Sequence, residues 1–471
     1  MTADRRWVVG DHHVHTTFSV DGRHSIAEQV RGAHAGGADW VVITDHGSSE
    51  HVARGEAVQA EIAEARLAFP DMLILPGLEW NVPGAAHGTV FTAVDPGSSD
   101  AAREFAVVRE FEAKFDGDVR GARTGSADDD ALAVEALEWL ADRVRDGSVD
   151  DAVFLVNHPA SDGYNHPRRL RRWRDVAGGV AIGFEGAPGH QGAALCPDEH
   201  RVRGFYSYGP RPNSEPRLPE AAYRTWGGFD WMTATVGGMW DALLAEGSRW
   251  WITASSDSHL NHDETARDPA ACDFWPGSYS RTHVAVDRLT PVGLARGLRR
   301  GQVWVDHGHL LGGIDVRLQA ADDRRGAGMG ETLRPPRGAD LELVVTVTAQ
   351  HRPNAAGFVP RLNRLDIVVG AVTGPSGDGD GFAAPDARVV AQIDTSGRSG
   401  TYTLRHRLGP AETAMYVRLR GTDARRGEPG LLGVGIDPCG PARDHRGVNP
   451  WHDLWFYTNP VHVEPVGDRG R

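Results

Sequence analysis

From Trp7 to about His309, short apolar runs alternate with stretches of helical periodicity; beyond about Leu310 only the short alternating runs remain. Trp7-Val8-Val9 opens a strand, and Ser25 to Gly37 predicts a helix with Ser25 as N-cap and Glu28 completing a capping box. A buried strand over Asp39 to His46, a helix over Glu50 to Phe69, and strands over Met72 to Glu79 and His87 to Val94 follow. Ser98 to Asp151 reads as a polar helical insert, with Asp128-Asp129-Asp130 as a solvated helix N-terminus. Strands over Ala152 to Val156 and Gly179 to Glu185, a helix over Phe229 to Glu246 and a strand over Trp250 to Ala254 come next. A strand over Thr282 to Val286, a helix over Pro291 to Arg300 and a strand over Gln302 to Val305 end this part. Such alternation predicts an α/β fold, a parallel TIM-like barrel with helices outside.

The second pattern is all-β. Ile314 to Gln319, Leu341 to Thr348, Leu365 to Val369, Val389 to Ile393, Thr401 to Arg405 and Met415 to Leu419 alternate apolar and polar residues between Gly and Pro clusters, which predicts a β-sandwich. Gly374 to Gly381 reads as a mobile surface loop, and Trp451 to Val463 as a strand that closes the sandwich or docks on the barrel. The expected domains are residues 1–309, with a helical insert at about 98–151, and residues 310–471.

The chemistry sits at strand ends. His13 and His15 stand two apart, so an extended chain turns both imidazoles to one side, and Asp21 adds a carboxylate after a short loop turned by Gly22. His46, Glu79, His158, Asp257 and His259 also lie at the C-terminal ends of predicted strands, the face on which such barrels build active sites. Seven ligand-type residues at corresponding positions predict a polynuclear metal site.

Composition narrows the alternatives. With 471 residues and a formal charge of -14, the chain has ample sequence for two domains and a surface that repels nucleic acid. Three scattered cysteines, Cys196, Cys272 and Cys439, offer neither a disulfide framework nor a thiolate zinc site. Lys114 is the only lysine and lies among polar neighbours, a poor candidate for Schiff-base chemistry. With no apolar run long enough to span a bilayer and no secretory leader, a cytoplasmic protein is expected.

The ordered set His13-Val14-His15, Ser19-Val20-Asp21-Gly22, Thr44-Asp45-His46, Leu78-Glu79, His87, Asn157-His158-Pro159 and Asp257-Ser258-His259 resembles the polymerase-and-histidinol-phosphatase (PHP) family over about two-thirds of the chain. The resemblance implies a distorted barrel of seven βα units holding two or three divalent ions, Zn, Mn or Fe. It implies a first ion on His13, His15, Glu79 and Asp257, a second bridged by Glu79 and held by His87 and His158, and a third on Asp21, His46 and His259. His190 could compete with His87, and Asp45 is expected to orient an imidazole rather than ligate. Leu298 to Val305 and Tyr457 to Val463 also look like the carbaryl-hydrolase-like (CehA/McbA) branch, although Val305-Asp306-His307-Gly308-His309 departs from its usual Gly-Pro.

Carboxylates and imidazoles without thiolate suit hydrolytic Zn, Mn or Fe, and paired ions holding a hydroxide favour phosphoester cleavage. The expected activity is thus hydrolysis of a small phosphomonoester or phosphodiester, with Glu79, Asp257 and His259 at its centre. Arg23, Arg168 and Arg281 are candidate contacts to an anionic substrate; Arg168 heads the run Arg168 to Arg174, which otherwise reads as a solvated helix face. Glu185 is either a substrate contact or a satisfied strand-end acid. His12, His190 and His283 are open candidates for general acid. A carboxylic or carbamic ester hydrolase is the alternative, favoured if Trp226, Phe229, Trp231 and Phe274 line a pocket; a non-catalytic metal-binding module is the second alternative.

Overall fold

The computed structural model describes residues 6–95, 102–176, 178–189, 201–202, 205–206, 209, 218–223, 225–259, 274–321, 323–423, 451 and 454–467. The apolar runs become strands β1 (Arg6–Asp11), β2 (Trp40–Ile43), β3 (Leu73–Asn81), β4 (His87–Ala93), β5 (Asp151–Val156) and β6 (Ala181–Ala187). Between them lie α1 (Ile26–Ala35), α2 (Ser49–Ala68), α3 (Ala102–Phe115), α4 (Gly117–Arg120), α5 (Ala127–Arg145) and α6 (Pro167–Arg174). Ser25 and Glu28 form the expected capping box at α1. At α5, Asp129 closes a capping box with Ser126, and Asp130 pairs with Arg169.

Two minimal hairpins follow, β7 (Arg201–Val202) with β8 (Phe205–Tyr206), and β9 (Thr225–Trp226) with β10 (Phe229–Asp230). The helix expected over Phe229 to Glu246 is two, α7 (Trp231–Ala234) and α8 (Met239–Ala245). Gly237 at φ +76° and Gly238 as the next N-cap break it. Then come β11 (Trp251–Ala254), β12 (Ser280–Val286), α9 (Pro291–Arg299) and β13 (Val303–His307).

The sheet corrects the expectation of a closed parallel barrel. Its order is β11-β6-β5-β4-β3-β2-β1-β12-β13, it is open, and its pairing is mixed. β4 runs antiparallel to both β3 and β5, and β12 runs antiparallel to β1 and β13. The reason is chain length: only Val82 to Ala86 link β3 to β4, too few for a parallel crossover, which needs about a dozen residues. They close a tight turn instead, with Val82 N–H donating to Ala86 O at 3.1 Å and Gly84 at φ +69°.

Side chains span the seam that a ladder would close. Thr282 Oγ1 accepts the Ala254 N–H at 2.8 Å and donates to Ala254 O at 2.6 Å. The Asn459 amide accepts Ile252 N–H at 2.9 Å and donates to Ile252 O at 3.3 Å. Thus the outer edge of β11 keeps its polar backbone satisfied inside the molecule. Past the strand ends, His15 N–H donates to Ser258 O at 3.0 Å.

The remaining strands are β14 (Leu311–Ala320), β15 (Asp323–Ala327), β16 (Thr332–Leu333), β17 (Asp340–Ala349), β18 (Arg364–Ala371), β19 (Arg388–Asp394), β20 (Thr401–Pro410), β21 (Met415–Thr422), β22 (Trp455–Thr458) and β23 (Val461–Val463). One sheet, β15-β14-β17-β20, packs Val316, Leu318, Leu343 and Val345 into a core shared with Leu365, Ile367 and Leu419. The opposing layer is not separate: β22 pairs with both β13 and β21, so the first sheet continues through β22-β21-β18-β19. Gly374 to Gly381 is likewise no free loop. Gly374 N–H donates to Ala245 O, Gly379 O accepts from Arg171, and Asp380 pairs with Arg168. No described helix is long and apolar enough to cross a membrane.

Candidate metal centre

The strand topology decides which side chains meet. β1, β2, β3, β5 and β11 end on one rim, and the tight β3–β4 turn brings the start of β4 to the same rim, with Asn81 opposite His87 in register. His87 therefore joins a set otherwise drawn from strand ends.

Glu79, 1% exposed, sits at the middle. Its Oε1 lies 3.0 Å from His13 Nε2, 3.3 Å from His87 Nδ1 and 3.3 Å from His158 Nε2. Its Oε2 lies 2.9 Å from His46 Nδ1 and 3.2 Å from His15 Nε2. On one flank, Asp257 Oδ1 approaches His13 Nε2 at 3.1 Å and His15 Nε2 at 3.4 Å. On the other, Asp21 Oδ2 approaches His46 Nε2 at 3.2 Å and His259 Nε2 at 3.4 Å. Three overlapping groups, His13/His15/Asp257, His46/Glu79/His87 and His15/Asp21/His46/His259, each bring their ligand atoms within 4.8 Å of one another. The floor is buried and the rim opens at Asp21, whose side chain is 44% exposed.

The ring orientations fit cations. His13 Nδ1 meets Glu185 at 2.6 Å, His15 Nδ1 meets Ser19 Oγ at 3.0 Å, His158 Nδ1 meets Ser161 Oγ at 3.0 Å, and His259 Nδ1 meets Asp257 O at 2.8 Å. With these outer nitrogens donating, all four turn Nε2 and its lone pair inward. His13 Nε2 and His15 Nε2 face each other at 3.0 Å, as two donors to a common ion do. His46 Nδ1 and His87 Nδ1 face Glu79 at 2.9 and 3.3 Å as well.

Electrostatics point the same way. Burial works against charge on His13, but Asp257, Glu79 and Glu185 outweigh it and raise its pKa well above the usual imidazole range. His46 is raised to about 10, burial again being overcome by Glu79 and Asp21. His87 is pushed down to about 4, since burial exceeds the pull of Glu79. Burial would raise Glu79, yet His13, His46 and His87 hold its carboxyl well below the ordinary range. The carboxylates demand positive charge, which imidazole protons supply here and divalent cations can supply in their place.

Two strand-end positions carry backbone strain: His158 at φ +27° and Asp257 at φ +48°. His158 N–H donates to Glu185 Oε2 at 2.6 Å, and Ser256 N–H, beside Asp257, donates to Asp11 Oδ2 at 2.8 Å. The other Asp11 oxygen accepts the His13 N–H at 3.0 Å, so one buried carboxylate ties together the segments that carry His13 and Asp257.

Several expected roles do not match the positions. Arg168 is held by Asp380, with bonds of 3.2 and 2.6 Å, and Arg171 and Arg174 pair with Glu246, so the basic run is an ion-paired helix rather than a phosphate site. Arg281 is buried in a bidentate pair with Asp306, at 3.0 and 2.7 Å, and His283 shares that carboxylate at 2.9 Å. His12 points to the other side of its strand, between Thr89 and Thr253. Glu185 is fully buried with both oxygens engaged, which removes it as a substrate contact. Asp45 orients no imidazole directly; it accepts from Thr16 and Ser19 N–H and shapes the loop whose Ser19 hydroxyl meets His15. Trp226, Phe229, Trp231 and Phe274 are buried in the core, so they line no open pocket. Arg23 remains at the rim, exposed, its N–H donating to His259 O at 3.1 Å. His190 lies outside the described residues. Asn157, assigned no role by the sequence, donates to Glu79 Oε1 at 2.9 Å; its only signal is adjacency to His158.

Fold and site together define a mixed α/β protein with an imidazole–carboxylate centre able to hold divalent cations. No protein-family model and no curated protein matches the chain. Among solved structures, a two-domain protein from Bacteroides vulgatus ATCC 8482, described as containing a "predicted PHP-like metal-dependent phosphoesterase", is similar at 14% identity over 93% of each chain, with TM-score 0.36. A protein from Bifidobacterium adolescentis ATCC 15703, also described as a metal-dependent phosphoesterase by inference, is similar at 19% identity over 38% of this chain and 76% of that one, with TM-score 0.20.

Proposed function

We propose that this chain is a PHP-type metal-dependent hydrolase that cleaves a small phosphomonoester or phosphodiester. The observation that carries the reading is the orientation of His13, His15 and His158, Nδ1 bonded outward and Nε2 turned in, around the buried Glu79 carboxylate, with His259 turned likewise towards Asp21. Residues 1–309 would form the metallohydrolase unit and 310–471 the β unit that braces it.

Bound divalent ions would supply Lewis-acid activation of water and neutralise charge at phosphoryl oxygens. His13, His15, Asp257 and Glu79 would hold one ion, Glu79, His87 and His158 a second, and Asp21, His46 and His259 a third. Asn157 fixes the Glu79 carboxylate by its amide N–H. Arg23, at the open rim, offers a guanidinium to an anionic substrate. The four aromatics whose exposure in a pocket would have favoured the carbamate alternative are buried in the core.

The test pairs elemental analysis of the purified protein with turnover of p-nitrophenyl phosphate, bis-p-nitrophenyl phosphate and 1-naphthyl N-methylcarbamate. Two or three ions per chain with phosphoester turnover is the expected result. Carbamate turnover alone would replace the substrate class, and a protein that takes up no metal would remove the reading altogether.

A further inference from the structure

We infer that Glu185 is a positioning residue that sets two ligands of the centre at once, an inference that rests on the metal reading above. Glu185 lies near the C-terminal end of β6, fully buried beneath the rim. In register it lies beside Thr253 of β11, while Phe184 pairs with Val156 of β5. It thus stands between the strands that lead to Asp257 and to His158. Oε1 meets His13 Nδ1 at 2.6 Å and accepts the Ser255 hydroxyl at 2.8 Å; Oε2 accepts the His158 backbone N–H at 2.6 Å.

The two contacts have distinct consequences. The first keeps the His13 proton on Nδ1, so that Nε2 presents its lone pair towards Glu79 and Asp257. The second holds the strained backbone of His158, at φ +27°, in the turn that carries its ring to Glu79. A glutamine cannot do both: its carbonyl accepts one N–H, and its amide then faces the other donor with a donor.

The experiment compares wild type and Glu185→Gln by zinc affinity from chelator competition, by the visible absorption of the cobalt(II)-loaded protein, and by the urea midpoint of the metal-free protein. Zinc affinity is expected to fall about 10- to 100-fold, with a changed cobalt spectrum. Wild-type affinity and spectrum in Glu185→Gln, whatever its urea midpoint, would reduce Glu185 to a structural acid and overturn the inference. Should that variant fail to fold, Ser255→Ala, which keeps the carboxylate but removes one bond that steadies it, is expected to weaken zinc binding a few-fold; unchanged binding would again overturn it. A wild-type protein that binds neither metal fails the metal reading instead, and takes this inference with it.

Discussion

At the scale of single residues, the centre is a problem of charge. Glu79, Asp257 and Asp21 gather six imidazoles, and the two whose pKa they raise most, His13 and His46, carry protons that offset their charge. Glu79→Gln removes the carboxylate that touches five of those rings, and is expected to lower turnover at equal metal loading by about 100-fold or more while leaving the protein folded. Wild-type turnover in that variant would rule out a bridging role. Asp306 is the contrasting acid, buried away from the site. Burial would raise its pKa, but Arg281 and His283 outweigh that and hold it below the ordinary 3.8. A depressed carboxyl stabilises above its unfolded pKa, so this contribution is present above pH 3.8 and is lost as pH falls below that value. Asp306→Asn, which strands a buried guanidinium, is expected to cost about 3–5 kcal/mol at neutral pH, and the gap from wild type should narrow in acid. Equal urea midpoints at pH 7 would contradict it.

At the scale of elements, the decisive features are short connections and a sealed edge. The Val82 to Ala86 turn makes β3 and β4 a hairpin and thereby brings His87 to Glu79. Across the seam, Thr282 and Asn459 stand in for a strand. Thr282→Val keeps the shape but leaves Ala254 N–H and C=O without their partner, so a loss of about 1–3 kcal/mol is expected in urea unfolding. A neutral result would mean that the seam is bridged by something else.

At the scale of the whole molecule, the two halves share a sheet and buried charges. Arg418 of β21 is fully buried and bonds Asp241 of α8 at 2.9 and 2.7 Å, with the Tyr416 hydroxyl donating to the same carboxylate at 2.9 Å. Removing residues 310–471 would leave Asp241 uncompensated, β13 unpaired on one side, and Ile252 without Asn459. The full chain is therefore expected to unfold in one calorimetric transition and the fragment 1–309 to fail to fold alone. Two separated transitions, or a folded soluble fragment, would refute this.

The histidines and carboxylates of the candidate centre, their place near strand ends and the change to β-strand patterning were legible in the sequence, because period-two alternation and strand-end position are local properties. Helix starts were legible for the same reason, as the Ser25–Glu28 box illustrates. Only the tertiary structure decided the rest. It opened the sheet and turned β4 around, committed Arg168 and Arg281 to Asp380 and Asp306, set Glu185 against His13 and His158 and Asn157 against Glu79, and joined the sandwich to the first sheet through β22. Each of these depends on which polar atom finds which partner across the fold. Residues as far apart as Ile252 and Asn459 satisfy one another only once the chain has closed around them, and nothing local in either segment specifies that pairing.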